Sequence, residues 1–171
     1  MCYTYYMDNQ LKIKSNISPL PIKTCSFTGH RNLEEDFSPK KLKKVIKTLL
    51  DQGISTFYNG MAFGFDMVAA ETLLSFRKKY DFKLIACIPC LEQEKFYSYE
   101  SKQRYYRILE QVDEQIVFAE SYFKGCMQIR DKYLAQQADV LVAYCNKDTG
   151  GTAYTVKCFK RMHPENEIYF I

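Results

Sequence analysis

Long hydrophobic runs are missing from this chain. Its apolar stretches fall far short of the roughly 20 residues that a membrane-spanning helix needs, so no spanning segment is expected. The first ten residues, MCYTYYMDNQ, lack the basic and apolar blocks of a signal peptide, and Asp8 stands among the tyrosines. Histidine is scarce, with two in the chain; His30 has no companion ligands around it in sequence, and no metal site is expected. Charge of one sign is in small excess only. The formal net charge is +4, and much of it comes from Lys40, Lys41, Lys43, Lys44 and Lys47, which surround the apolar stripe of one helix. That pattern reads as a solvated helix face, and committed nucleic-acid binders are usually more basic. Internal repeats, linkers and low-complexity tracts are absent as well. These absences predict a soluble, cytoplasmic protein.

Seven cysteines, an odd number, are scattered along the chain, and Cys25, Cys87, Cys145 and Cys158 sit in apolar segments where a thiol behaves as a small hydrophobe. A secreted disulfide framework is not expected in a chain of this length with a full set of core residues. The pair in Cys87-Ile88-Pro89-Cys90 has redox-motif spacing. Cys87 falls inside a strand, however, and the pair opens no helix whose dipole would lower a thiol pKa.

The 171 residues, 47% hydrophobic and 26% charged, suit one globular domain with a sizeable core. After a lead-in over residues 1–21, short β-rich runs alternate with amphipathic helices through residues 22–171. Strands are predicted at Ile22–Thr28, Ile54–Asn59, Lys83–Ile88, Gln115–Ala119, Asp139–Tyr144 and Glu167–Ile171. Between the first two, Ser38 is placed to cap a helix with Pro39 at its first position, Leu42, Val45, Ile46, Leu49 and Leu50 form its inner stripe, and Gly53 ends it. The next helix carries Val68, Ala69, Leu73 and Phe76 inward; others are predicted at Ser98–Val112, Cys126–Gln137 and Thr152–Met162. Six strands alternating with five helices imply an α/β, Rossmann-like three-layer fold with a mostly parallel sheet.

Ligands of open α/β sheets sit beyond the carboxyl ends of the strands. Three loops at that edge are rich in glycine and small hydroxyl residues: Thr28-Gly29-His30-Arg31, Asn59-Gly60 through Gly64-Phe65-Asp66, and Asp148-Thr149-Gly150-Gly151-Thr152. Glycine lets main-chain N–H groups approach an anion, and a helix starting directly afterwards adds unpaired donors and a positive dipole end. Each loop alone can equally be a tight turn that needs glycine for steric reasons. Three on one edge favour a binding site. Arg31 and Arg130 can each grip a phosphate or carboxylate with two donors. Asp66, in the first turn of a helix, either favours the helix dipole or accepts hydrogen bonds from a ribose or base.

The segments CSFTGHR, NGMAFGFDMVAAE, IPCLEQEKFY, CMQIRDKYLAQQADVLVAYC and GGTAYTV, in that order from about Lys23 to the carboxyl end, resemble the SLOG superfamily and its YpsA-like branch. That superfamily also holds the DprA/Smf DNA-processing proteins and the Lonely-guy hydrolases. The resemblance implies a Rossmann-like fold and a pocket for a nucleotide, ADP-ribose or NAD-like ligand. It assigns the glycine motif to Gly150, Gly151 and Thr152, the glycine-acid motif to Gly64 and Asp66, and the Met-x-x-Arg motif to Met127 and Arg130. Members of the branch are linked to cell division and stress responses in bacteria. Lonely-guy hydrolases carry Gly-Gly-x-Gly-Thr-x-x-Glu; here the motif is one glycine shorter, and Thr155 and Val156 stand where the acid would fall.

The resulting expectation is a nucleotide-binding sensor or regulator, with ligand contacts from Thr28, Gly29, Arg31, Gly60, Gly64, Asp66, Arg130, Gly150, Gly151 and Thr152. A phosphoribohydrolase of the Lonely-guy type is the alternative, with an acid such as Asp66 or Glu71 replacing the missing one, and a DprA-like DNA-associated role comes third. The expected partner is a small nucleotide-type ligand. A homo-oligomer is allowed, while membranes are excluded and nucleic acid is disfavoured.

Overall fold

In a computed structural model, which describes residues 4–5 and 24–171, strands and helices alternate along the chain. The strands are β1 (Thr4–Tyr5), β2 (Thr24–Gly29), β3 (Thr56–Asn59), β4 (Lys83–Ile88), β5 (Glu114–Val117), β6 (Val140–Tyr144) and β7 (Ile168–Phe170). The helices are α1 (Pro39–Asp51), α2 (Phe65–Leu74), α3 (Tyr99–Leu109), α4 (Cys126–Gln137) and α5 (Gly151–Met162). Every strand pairing is parallel, in the order β1-β5-β4-β3-β2-β6-β7. The six expected strands are all present, and Thr4–Tyr5, inside the expected lead-in, pairs with Ile116–Val117 to add a seventh. The remainder of the 1–21 lead-in, and Ile22 and Lys23 of the first expected strand, lie outside the described residues.

Local chemistry accounts for the element ends. The Ser38 hydroxyl accepts from the Lys41 N–H at 3.2 Å, with Pro39 in the first turn of α1 where its missing N–H costs nothing. At the other end Gly53 adopts a φ of +84°, and the Ile54 N–H bonds back to the Leu49 carbonyl. The five lysines of α1 are exposed while Leu42, Ile46, Leu49 and Leu50 are buried, as an amphipathic surface helix requires.

Alternation along the strands divides the core. Cys25, Phe27, Phe57, Leu84 and Ala86 pack with α1, α2 and α3, whereas Leu141 and Ala143 pack with α4 and α5, and Ile85 and Cys87 with Leu134 of α4. Three layers result. Val68 is only half-buried, and Phe65, Met67 and Ala70 join Ala69 and Leu73 inside, because α2 enters the core at its first residue. Cys87 and Cys90 are buried free thiols, and burial pushes the Cys87 thiol up, away from the thiolate that redox chemistry needs. Among the described residues no helix is long and apolar enough to cross a membrane.

From β2 the chain winds outward through β3, β4 and β5, then crosses back to lay β6 on the other side of β2. The order therefore reverses between β2 and β6. At such a switch point the loops after the two strands diverge to opposite faces and leave a crevice.

Candidate functional site

That crevice is a cavity of about 350 Å³, lined by residues from four segments. Strand β2 contributes Thr28 and Gly29 and runs into His30 and Arg31; α2 contributes Asp66, with Ala62 just before it; α4 contributes Met127, Gln128, Arg130, Asp131 and Leu134; α5 contributes Gly151 and Thr152. Of the ten residues expected at a site, seven line this one cavity: Thr28, Gly29, Arg31, Asp66, Arg130, Gly151 and Thr152. Gly60, Gly64 and Gly150 do not line it.

The three glycines nearest β2 and β3 serve packing. A Cβ on Gly29 would strike the Phe65 ring, one on Gly64 would strike the Arg31 carbonyl, and one on Gly60 would strike the Arg130 guanidinium. Gly64 also needs its φ of +90°. These contacts lock the β2 and β3 loops together, helped by the Phe65 N–H donating to the His30 carbonyl at 3.1 Å. The space that glycine leaves there is filled by the protein itself. At the start of α5 the surroundings are open: nothing lies within 4 Å of a Cβ on Gly150, and one on Gly151 meets only the Asp131 Oδ2 at 3.0 Å. No side chain caps α5, so its first N–H groups have no capping partner.

Electrostatics distinguish the two arginines. Arg130 is buried; its Nε donates to Asp131 Oδ1 at 2.8 Å and its Nη1 to the Gly60 carbonyl. Burial works against its charge, but Asp131 and Asp66 outweigh that and raise its pKa, so it stays cationic. Two of its donors are spent inside the protein, which makes Arg130 a buried counter-ion more than a grip on a ligand. Arg31 is exposed, and among the described residues no hydrogen bond or ion pair engages its guanidinium. Asp66 is 4% exposed. Its Oδ2 accepts from the Ala62 N–H at 3.2 Å, whereas its Oδ1 is buried with no partner. Burial pushes its pKa up to about 7 against the pull of Arg130, the Ala62 N–H and Arg31. Asp131 is likewise raised by burial and opposed by Arg130.

His30, set aside as a metal ligand, has a structural task. Its Nε2 accepts from the Asn146 N–H at 3.1 Å, which ties the loop between β6 and α5 to the end of β2. Tyr144 ties the same ends, donating to Asp36 at 2.5 Å and accepting from the Glu34 N–H at 3.1 Å. Asp131, Gln128, Ala62 and Leu134 were not foreseen as lining residues. Asp131 follows Arg130 directly, but only the burial of Arg130, which the folded chain reveals, calls for a carboxylate beside it. Glu71, a candidate acid, lies outside the cavity, held by Arg104 through two bonds of 2.7 Å. Thr155 and Val156, at the position of the absent acid, are buried.

Comparison with known proteins agrees with this architecture. Fold likeness extends to DNA processing protein A of Streptococcus pneumoniae, with a TM-score of 0.62 and 19% identity over 86% of this chain and 49% of that one. The Helicobacter pylori protein of the same name, whose structure describes a single-stranded DNA binding mode, gives a TM-score of 0.62 at 16% identity over 86% of this chain and 64% of that one. The chain thus spans about half to two thirds of those two proteins, and at such identities the likeness is one of fold. In sequence, a UPF0398 protein of Halalkalibacterium halodurans is 26% identical over 78% of this chain and 71% of its own length. One from Brevibacillus brevis is 28% identical over 69% and 65%. The family model YpsA, described as the YspA SLOG family, matches residues 27–171, and the chain belongs to that SLOG family.

Proposed function

We propose that this chain is a binding module for a phosphate-bearing, nucleotide-type ligand, acting as a sensor or regulator and not as a hydrolase. The observation that carries this reading is the convergence of Arg31, the uncapped start of α5 with Gly151 and Thr152, and the buried carboxylate of Asp66 on one cavity at the switch point. The phosphate belongs at the start of α5, where free N–H groups and the dipole favour an anion. The Thr152 hydroxyl, which no hydrogen bond engages among the described residues, and the Arg31 guanidinium add donors. Asp131 beside Gly151 is paired with Arg130, whereas a phosphate beside Asp66 would be repelled, so the hydroxyl-bearing sugar belongs on the Asp66 side.

Cleaving a ribose–base bond needs a positioned acid or carboxylate, typically contributing 10²–10⁴ in rate. The position of the hydrolase glutamate is filled by buried Thr155 and Val156, and Glu71 is committed to Arg104. Base release from nucleoside monophosphates should stay near background.

Thermal denaturation with inorganic phosphate, AMP, ADP, ADP-ribose, NAD and cyclic dinucleotides tests the reading. A true ligand at 100 times its dissociation constant should stabilise the fold by about 2.7 kcal/mol. Gly151→Val should remove that shift, and the melting of the free variant is read beside it because its Cβ meets Asp131 Oδ2 at 3.0 Å. No shift with any compound would sink the binding proposal. Robust release of adenine from AMP, lost in Asp66→Asn, would promote the hydrolase.

A further inference from the structure

A second cavity, about 660 Å³, adjoins the first and shares Arg31 and Met127 with it. Its remaining lining includes Phe63 from the loop before α2, Cys90, Gln93, Phe96 and Tyr97 from the segment after β4, Ser101 at the start of α3, and Tyr122 from the loop before α4. The two cavities differ in chemistry. The first holds the buried charges, and the second is walled by aromatic rings. Phe63 and Tyr97 stand with ring centroids 5.8 Å apart, and the Tyr97 hydroxyl is fixed by accepting from the Phe63 N–H at 3.0 Å. Phe96 and Tyr122 are 93% and 64% exposed, unusual for rings of that size.

Gln93 supplies a polar feature in this apolar setting. Its Nε2 donates to the Gly60 carbonyl at 3.3 Å and to the Met61 carbonyl, and this fixes which side of the amide is the donor. Its Oε1 is then left buried with no partner. A flat ring edged with N–H groups supplies what that acceptor lacks, and its faces suit aromatic walls. Charge points the same way. Glu92 and Lys95 on the lining pair with each other at 3.5 Å, and Glu94 and Glu100 adjoin it in sequence. A neutral ring is therefore a better occupant than a second phosphate or a polyanionic backbone.

We infer that the second cavity takes the nucleobase end of a ligand whose phosphate lies in the first, with Arg31 between the two, so that the chain selects nucleotides over sugar phosphates. This rests on the phosphate-binding reading above and adds the base as a determinant of affinity. Stacking of a base on an aromatic side chain changes affinity by an amount that single substitutions can read.

Calorimetric titration of the full chain with AMP, ribose 5-phosphate and a 12-nucleotide single-stranded DNA tests it, on the unmodified protein, Phe96→Ala and Ser101→Trp. AMP should bind at least tenfold more tightly than ribose 5-phosphate. Ser101→Trp, which fills the cavity, should weaken AMP at least tenfold, and Phe96→Ala at least threefold, with ribose 5-phosphate unchanged in both. Phe96 is too exposed to support the core, so its variant reports on binding even if Ser101→Trp folds poorly. Equal affinity for AMP and ribose 5-phosphate, or AMP binding untouched by both variants, overturns the base site and leaves the phosphate reading standing. Failure of both compounds to bind overturns the two together. DNA binding far tighter than AMP and lost in Phe96→Ala, or a dimer that Ser101→Trp dissociates, assigns the aromatic surface to another occupant.

Discussion

The glycines at the carboxyl edge of the sheet divide into two groups that look alike in sequence and differ in surroundings. Gly29, Gly60 and Gly64, after β2 and β3, press against Phe65, Arg130 and the Arg31 backbone. Gly150 and Gly151, after β6, face open space or a single carboxylate oxygen. The first group exists so that protein can approach protein. The second has no protein neighbour beyond that oxygen. A glycine-rich loop after a parallel strand is thus no evidence of a phosphate cradle until what occupies the space of the missing side chain is known.

The comparison is broken most directly by paired alanine substitutions. Gly64 and Gly150 have almost the same φ, +90° and +93°, which L side chains rarely adopt. Gly150→Ala should therefore cost only the conformational strain, about 1–3 kcal/mol. Gly64→Ala adds a collision with the Arg31 backbone, which no rotamer change relieves. Its total should exceed about 4 kcal/mol, in the range that single substitutions reach rarely. Urea denaturation of the two variants decides. Equal losses would mean that the loop holding Arg31 yields freely and that the division between the glycines has no energetic content.

A smaller effect separates buried charge from buried packing. Asp66 has an ordinary carboxylate pKa of 3.8 when unfolded and about 7 in the folded protein, with burial as the main cause. Between those values the folded state keeps a proton that the unfolded state has lost. Stability attached to this group is therefore highest below pH 3.8, falls as pH rises, and is fully lost once pH passes about 7. Asp66→Asn should remove that decline, stabilising the protein at pH 8 by up to a few kcal/mol and hardly at all near pH 4. Denaturation midpoints at several pH values check it. A uniform shift at all pH values would point to altered packing and not to a titrating group.

Much of the fold was legible in the sequence because alternation and helical spacing record burial directly. Lys83–Ile88 and Cys126–Gln137 fall at their expected limits, and Ser38 and Gly53 mark the ends of α1. The two-residue strand Thr4–Tyr5 was not legible, since so short a segment shows no period and its partner β5 is distant in sequence. For the site, seven expected residues meet at one cavity because parallel topology brings every loop after a strand to the same edge. The burial of Arg130 was not legible: whether an arginine meets a ligand or a carboxylate depends on contacts across 70 residues of chain, as with the Gly60 carbonyl. The second cavity was missed for a related reason. Its rings come from a polar-looking segment whose exposure only the folded chain reveals.

The smallest expected effect concerns the tie between the two sides of the switch point. The His30 Nε2 accepts from the Asn146 N–H, so the ring must be neutral to make the bond. Burial is the main cause that lowers its pKa from 6.5; Lys147 lowers it further, while Glu34 and Asp36 oppose the shift. Stability from this contact is thus present above pH 6.5 and lost as pH falls through the lowered folded value, when the charged ring becomes a second donor facing the amide. A single hydrogen bond of this kind contributes about 0.5–1.5 kcal/mol, so His30→Ala should lower stability by no more than that at pH 7.5. Its larger consequence should be on binding, because the loop that it tethers leads directly into Gly150 and the start of α5. With only two histidines in the chain, the His30 titration can be followed by proton NMR and assigned by its disappearance in the variant. A folded-state pKa above 6.5, or unchanged affinity for a phosphate-bearing ligand in His30→Ala, would show that the open side of the site holds its shape without the closed side.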